Sequence, residues 1–300
     1  MTAVGHGKVI LLGEHAVVYG RPAIAGAILR GVLATCCASD GPATLSVPAW
    51  GLAVRAGDAS EVGRALAAIF TALGRPASGV AIDADATVPG GAGLGGSAAL
   101  GVAVARAIAE HDRRPLDDAA LRDAVLAWES VFHGNPSGID AEIAATGAIG
   151  VYVKGQGLRP LRLRAPLPIA IGDSGERSAT KDMVTAFARE KERAPEKVER
   201  ILEGIASLVR NAVLALEAGD LPQVGKLMNL DQTLLASMML STARIEDLCA
   251  AARTAGAWGC KLTGAGGGGC VVAIGPDPAA VLETWARIGR TGFVATLGAV

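Results

Sequence analysis

The chain has 300 residues, of which 51% are hydrophobic and 19% are charged, and its formal net charge at pH 7 is -1. That length suits one large domain or two ordinary ones, and the hydrophobic share is sufficient for a sizeable core. A pI of about 6.4 excludes the basic surface that nucleic-acid-binding proteins carry. Five cysteines, none of them in a C-x-x-C pair, indicate small buried side chains in a reducing compartment rather than a disulfide framework or a zinc site.

Neither the beginning of the chain nor an uncharged segment in its first half predicts a secreted or membrane protein. The first residues, MTAVGHGKVILLGEH, lack a basic segment followed by a long apolar run, so no signal peptide is expected. Residues 86–105 carry no charge, but their small and glycine-rich composition favours a loop that leads into a buried helix over a lipid-facing span. We therefore expect a soluble cytoplasmic protein that binds no membrane.

In the first half, short apolar runs separated by Gly and Pro predict strands of a mixed or antiparallel sheet. These strands are expected at residues 9–12, 16–19, 28–36, 44–47 and 80–83. Apolar residues at helical spacing predict three helices, at about residues 58–73, from the glycine-rich loop at 90–96 to 111, and from 117 or 118 to about 132. Two short runs near residues 147–163 predict a hairpin.

The proline-rich segment RAPLPIAIGD predicts a domain boundary, with an N-terminal domain at residues 1–165 and a C-terminal domain at residues 166–300. The second half predicts strands at 168–172, 260–263, 270–274 and 292–297. It also predicts a helical stretch over 181–252, broken near Pro195, Gly219 and Ser241, and a later helix at 278–289. This order of a strand, helices, two strands, a helix and a strand is typical of a ferredoxin-like domain.

The segment PGGAGLGGSAA, residues 89–99, follows a predicted strand and opens a predicted helix. Its glycines allow tight turns and close approach of a ligand, and consecutive N–H groups form an anion-binding nest. The helix start adds unpaired donors and the positive end of a dipole, while Ser97 can offer its hydroxyl to a bridging magnesium ion. No Lys follows the glycines, so a P-loop is excluded. Taken alone, the motif could also be a turn that only packs helix on strand.

Charged residues at both ends of an apolar strand mark a second segment, GKVILLGEHAVVYG. Lys8 or Glu14 alone would indicate a solvated strand end, but the two residues together with His15 in a glycine-flanked turn favour a functional site.

A third segment, ESVFHGNPSGID, begins with Glu129, which flanks the apolar stripe of its predicted helix and should face the core. A carboxylate held there needs a partner, and a metal ion is a natural one.

The same third segment contains the residues that end this helix. Gly134, Pro136 and Gly138 predict a rigid turn that aims Asp140 inward, and His133 is expected to be a capping or packing residue.

A fourth segment, KLTGAGGGGC, formally contains G-x-G-x-x-G at residues 264–269. A dinucleotide site requires a helix after these glycines, whereas a strand is predicted here, so a Rossmann fold is excluded.

Together, the four segments resemble the GHMP kinase superfamily over residues 7–270. PGGAGLGGSAA is similar to its phosphate-binding motif and KLTGAGGGGC to its C-terminal glycine motif. The resemblance implies an α+β, two-domain fold, with an ATP-binding N-terminal domain like domain 2 of ribosomal protein S5 and a ferredoxin-like C-terminal domain. It also implies transfer of the γ-phosphoryl group of ATP to an alcohol. GKVILLGEHAVVYG and HGNPSGID are similar to the members that phosphorylate the 5-hydroxyl of mevalonate in the mevalonate pathway of isoprenoid biosynthesis.

The resemblance implies that Asp140 orients or deprotonates the hydroxyl beside Lys8, and that Ser97 and Glu129 hold Mg²⁺ between the β- and γ-phosphates. The implied nucleotide contacts are Pro89, Gly90, Gly91, Ala92, Gly93, Leu94, Gly95, Gly96, Ser97 and Ala98. The implied substrate contacts are Glu14, His15, Ser137, Thr180, Gly264, Ala265 and Gly266, and the glycines at 264–269 would close over the reacting phosphate. Two residues depart from the family pattern: Gly96 replaces the first serine of Gly-Leu-Gly-Ser-Ser, and Ala179 replaces a serine before Thr180.

Three other functions share parts of this pattern. Phosphomevalonate differs from mevalonate by one phosphate, and Arg177 and Lys181 are cationic residues near enough in sequence to receive it. A decarboxylase acting on diphosphomevalonate also begins by phosphorylating a hydroxyl, but the mevalonate-type segments argue against it. A non-catalytic ligand sensor should have lost Asp140, Lys8 or Glu129, and all three are present. The sequence leaves the oligomeric state open, a homodimer included.

Overall fold

The computed structural model of the protein describes residues 2–133, 136–177 and 179–298, with the side chain of His133 outside the description. The described residues form two compact units, each built from several chain segments. The first unit contains residues 2–8, 30–90 and 95–147, and the second contains residues 9–29, 91–94 and 148–298. The domain boundary near residue 165 stays a prediction.

The first unit combines a sheet with four helices. Its strands are β1 (Ala3–Leu12), β2 (Ala23–Pro42), β3 (Thr44–Val47), β4 (Leu52–Arg55) and β5 (Ser78–Ala86), and β1 and β2 each contribute residues to both units. Its helices are α1 (Glu61–Ala72), α2 (Gly96–His111), α3 (Asp118–His133) and α4 (Ile139–Thr146). β5 lies between β2, to which it is antiparallel, and β3, to which it is parallel.

The core of the first unit explains why α2 is so rich in small residues. α2 is buried along most of its length, and its Ala and Gly residues let neighbouring elements approach closely. A Cβ on Gly101 would lie 2.9 Å from the Trp128 ring, so only glycine lets α3 pack at that distance. The loop into a buried helix that residues 86–105 predict is therefore confirmed. Within the described residues, no helix is both long and apolar enough to cross a membrane.

The strands of the second unit are β6 (Ile149–Val153), β7 (Gly157–Pro160), β8 (Leu167–Asp173), β9 (Gly259–Leu262), β10 (Cys270–Ile274) and β11 (Thr291–Leu297). Four of them form an antiparallel sheet in the order β11-β8-β10-β9. The helices of this unit are α5 (Thr180–Arg193), α6 (Pro195–Ala218), α7 (Leu221–Ser237), α8 (Ala243–Thr254) and α9 (Pro278–Arg287). This is the ferredoxin-like order that the sequence predicts, with helix breaks near Pro195, Gly219 and Ser241 as expected.

One local prediction is wrong. Residues 16–19 form a 3-10 turn rather than a strand, because Gly13 at φ 106° and His15 at φ 59° turn the chain before it, and Gly20 at φ 75° ends it. The turn predicted to precede Asp140 is described only in part: Gly138 adopts a left-handed φ of 87°, and a short helix, α4, begins after it with Asp140 in its first turn. Gly134, which belongs to the same predicted turn, lies outside the described residues.

Candidate active site

In the first unit, Lys8 and Asp140 form an ion pair. The Lys8 Nζ lies 3.2 Å from Asp140 Oδ1, with side-chain exposures of 3% and 35%. Lys8 is on β1, and a Cβ on Gly95 would lie 2.7 Å from its Cγ, so a glycine at that point leaves room for the lysine stem. The pair thus has a buried cation and a carboxylate that remains accessible to a ligand.

A second pair joins the beginning of α2 to α3. The Ser97 hydroxyl donates a hydrogen bond to Glu129 Oε1 at 2.7 Å, and the Trp128 Nε1–H donates to the Ser97 carbonyl at 3.1 Å. Glu129 is 5% exposed, so it faces the buried side of its helix as the sequence predicts. Burial raises the pKa of Glu129 to about 7, and the Ser97 hydrogen bond opposes this; Asp140 raises the pKa further and Lys8 lowers it. The two pairs are therefore electrostatic neighbours.

The oxygen donors of Ser97 and Glu129 fit a hard divalent cation. No group of three or more His, Cys, Asp or Glu side chains that could hold a metal occurs among residues 2–133, 136–177 and 179–298. Mg²⁺ commonly takes only one or two protein ligands and completes its shell with water and substrate phosphates. A hydroxyl and a carboxylate beside the glycine-rich loop are therefore an adequate protein contribution for Mg²⁺.

In the second unit, residues 91–94 of the first glycine motif pack directly on the second glycine motif. A Cβ on Gly93 would lie 2.9 Å from the Thr263 carbonyl oxygen, and the Cys270 N–H donates to the Ala92 carbonyl at 3.1 Å. Gly93 itself adopts φ 79°, which disfavours other residues. A small cleft results, lined by Gly91, Gly93, Thr180, Thr263, Ala265, Gly266, Gly268 and Gly269. Three of the predicted substrate residues thus share one cleft with the first glycine motif.

His15 is buried beside the same glycine motif. Its Nε2 lies 2.8 Å from the Ala265 carbonyl, and its ring stacks on Phe187 with centroids 4.9 Å apart. Because a carbonyl only accepts hydrogen bonds, Nε2 must carry the proton, and in the neutral ring Nδ1 is then unprotonated. Nδ1 is buried without a hydrogen-bond partner. Burial lowers the pKa of His15 to about 4, so the ring is neutral at physiological pH.

Glu14 belongs to a buried cluster of charged side chains. Lys261 contacts Glu14 Oε1, lies 3.5 Å from Asp231 Oδ2 and donates to the Leu262 carbonyl at 2.7 Å; all three side chains are fully buried. Burial raises the pKa of Glu14 to about 8, against the opposing effect of Lys261, and burial raises the pKa of Asp231 as well. Two carboxyl groups thus share one cation. Neither Lys261 nor Asp231 is among the predicted site residues, although a lysine inside an apolar strand is a signal that could have indicated Lys261.

Ser137 is half-buried before α4, and Thr180, which lines the cleft described above, begins α5 as an exposed residue. Arg177 is held by two hydrogen bonds to the Asp173 carboxylate, at 2.8 and 2.7 Å. The packing or capping role expected for His133 concerns a side chain outside the description.

Comparison with known proteins supports the fold and shows the family. The model of the GHMP kinases N terminal domain matches residues 60–148, and that of the GHMP kinases C terminal matches residues 212–293. The mevalonate kinase of Pyrococcus horikoshii is 37% identical over 90% of this chain and 87% of its own length. That of Thermococcus onnurineus is 35% identical over 92% and 90%. The crystal structure of L. major mevalonate kinase in complex with R-mevalonate superposes with a TM-score of 0.86 at 26% identity, covering 99% of this chain and 95% of the other.

The chain therefore belongs to the GHMP kinase family, and the two-domain fold that its motifs imply is confirmed. The two curated relatives and the solved structure described above are all mevalonate kinases.

Proposed function

We propose that the protein acts as an ATP-dependent mevalonate kinase, which transfers the γ-phosphoryl group of ATP to the 5-hydroxyl of mevalonate. The observation that carries this proposal is the Lys8–Asp140 ion pair, electrostatically coupled to the Ser97–Glu129 pair at the start of α2. The chain that carries these two pairs is 37% identical to a mevalonate kinase over 90% of its own residues. Phosphoryl transfer asks a protein mainly for positioning and charge neutralisation, and these residues can provide both.

In this proposal, Asp140 contacts the reacting hydroxyl. The carboxylate accepts or orients the hydroxyl proton, so the oxygen can attack the γ-phosphorus as the bond to ADP breaks. The buried ammonium group of Lys8 lies 3.2 Å from Asp140 and can stabilise negative charge on the attacking oxygen. The 35% exposure of the Asp140 side chain is consistent with a group that must meet a substrate.

The phosphates are proposed to lie on the glycine-rich loop. Consecutive N–H groups at residues 90–96 and the N-terminus of α2 are suited to anions. Ser97 and Glu129 would hold Mg²⁺, which when bound neutralises charge on the β- and γ-phosphates. Deprotonation of Glu129 would accompany metal binding, because its pKa is raised to about 7 without a metal.

Substrate contacts are proposed for Glu14, His15, Ser137, Thr180 and residues 264–266. The cleft that Thr180, Ala265 and Gly266 share with Gly91 and Gly93 supports the last of these. His15 and Glu14 are buried, so we propose that they bind through the turn they form.

The structure bears on one of the two cations that could receive the additional phosphate of phosphomevalonate. Arg177 is committed to Asp173 through two hydrogen bonds, whereas Lys181 is exposed. The preference for mevalonate therefore rests on the curated relatives. A coupled assay that follows ADP release, with mevalonate, phosphomevalonate and galactose as acceptors, tests the proposal. We expect magnesium-dependent turnover with mevalonate alone. Turnover of phosphomevalonate without turnover of mevalonate would refute the assignment.

A cytoplasmic location is proposed from the five cysteines, all of which are free thiols. A homodimer remains a hypothesis, which light scattering of the purified protein tests.

A further inference from the structure

Trp50 touches both ends of the glycine-rich loop within the first unit. It lies in the short 3-10 turn Pro48–Trp50 that joins β3 to β4. A Cβ built on Gly90, at the loop's beginning, would lie 3.4 Å from the indole Cδ1. A Cβ built on Gly96, the first residue of α2, would lie 3.3 Å from Cζ2 and 3.4 Å from Cη2. One indole therefore packs along two loop residues that are six positions apart in sequence.

A hydrogen bond fixes the ring in this orientation. The Trp50 Nε1–H donates to the Val88 carbonyl at 3.0 Å, and Val88 is 2% exposed. The donor thus ties the ring to the backbone just before the loop, while the far edge of the ring lies against its end. A buried indole N–H usually finds a hydrogen-bond partner, and here the partner chosen fixes the ring beside the loop.

The position of the ring accounts for the unusual residue at 96. The family loop usually has serine there, and this chain has glycine. Gly96 has no left-handed φ, so its backbone would accept any residue. The constraint is therefore space: a Cβ would already be closer to Cζ2 than an ordinary contact of about 3.5–4.0 Å, and a serine hydroxyl would add another atom.

We propose that Trp50 is a positioning residue for the phosphate loop, and that glycine at position 96 is its steric complement. The indole takes the place of the missing serine: it holds the beginning and end of the loop at a fixed separation, so the N–H groups stay directed at the phosphates. The proposal rests on the phosphate-binding role proposed above for residues 90–96. It assigns Trp50 to ATP affinity and not to mevalonate affinity.

A double-mutant cycle tests the pairing. The four proteins are the unmodified chain, Trp50→Leu, Gly96→Ser and the double variant. For each, the melting temperature, kcat, the KM values for ATP and mevalonate, and the Kd of Mg²⁺–ADP are measured. Overpacking by a few atoms is expected to weaken nucleotide binding about tenfold in Gly96→Ser, with the KM for mevalonate changed less than about twofold. Gly96→Ala, which adds only a Cβ, should show a smaller loss in the same direction.

In the double variant, the smaller leucine makes room for the hydroxyl. Gly96→Ser should therefore cost less than about twofold when position 50 is leucine. An equal cost of Gly96→Ser with tryptophan or leucine at position 50 would overturn the proposal, as would a Trp50→Leu variant that loses melting temperature but keeps its affinity for Mg²⁺–ADP. The binding measurement needs no phosphoryl acceptor, so these outcomes are distinguishable from failure of the protein to phosphorylate mevalonate.

Discussion

Asp140 is the residue whose charge the proposed chemistry needs most. Asp140→Asn should lower the single-turnover rate by about 10²–10⁴, because the amide neither accepts the hydroxyl proton nor neutralises the buried Lys8. ATP and mevalonate should still bind, since the amide has almost the same shape. Measuring the melting temperature and the rate per folded molecule on one preparation separates catalysis from stability. A lowered melting temperature with an unchanged rate would make Asp140 a structural residue of α4.

Glu129 is proposed to provide the only carboxylate for the metal. Glu129→Gln should raise the magnesium concentration needed for half-maximal activity and lower the maximal rate, because an amide fills the space without the charge that attracts the cation. Titration of activity with Mg²⁺ checks this, and circular dichroism checks the fold. Equal activity of both proteins at moderate magnesium would show that Glu129 only packs.

His15 should make the protein sensitive to mild acid. In the folded protein the pKa of His15 is lowered from 6.5 to about 4. As the pH falls, the unfolded chain therefore binds this proton before the folded protein does, and stability is lost between about pH 6.5 and pH 4. At pH 5 the loss from this residue should be about 2 kcal/mol relative to pH 7. Urea unfolding of the parent protein and of His15→Asn at both pH values isolates the contribution of His15, since asparagine tolerates the positive φ at this position. A variant that loses as much stability as the parent protein would contradict the assignment.

At the scale of elements, α7 covers the edge of β9, the last strand of its sheet. The Asn229 side chain accepts from the Cys260 N–H at 3.1 Å and donates to the Trp258 carbonyl at 3.0 Å, and Gln232 accepts from the Leu262 N–H at 2.9 Å. Edge strands expose unpaired backbone groups, and these amides satisfy them.

Asn229→Ala should therefore lower the free energy of unfolding by about 1–3 kcal/mol, because it leaves two backbone groups unpaired. Thr233→Ala is the matched control on the same helix, because its exposed hydroxyl bonds only the Asn229 carbonyl within α7. The control should stay within about 0.5 kcal/mol of the parent protein in urea unfolding. Equal losses in the two variants would mean that the edge contacts contribute nothing.

The elements differ in how well the sequence predicts them. The long helices of the second unit follow from their apolar spacing and from Pro195 and Gly219, because the signals that begin and end a helix are local. Residues 16–19 have the apolar, β-branched composition of a strand, yet the left-handed backbone of His15 and its stacking on Phe187 override that propensity. The helix that carries Asp140 has eight residues, too few to show a period.

At the scale of the whole molecule, the sequence predicts the fold and family from four glycine-rich or charged segments, because each segment can be recognised from its own local residue pattern. It could not predict the cluster of Glu14, Asp231 and Lys261. Lys261 and Glu14 are 247 positions apart, so no local pattern in the sequence pairs them before the fold brings them together. The contact of Trp50 with Gly96 is hidden for the same reason.

The central claim is transfer of a phosphoryl group to the 5-hydroxyl of mevalonate, and phosphorus NMR of the reaction mixture tests it most directly. With ATP, Mg²⁺ and mevalonate, we expect one new phosphomonoester signal that grows in step with ADP. Coupling to the two protons of the C5 methylene should split that signal, whereas phosphorylation of the tertiary 3-hydroxyl would give a signal without this splitting. No new phosphomonoester signal, or one without methylene coupling, would contradict the account.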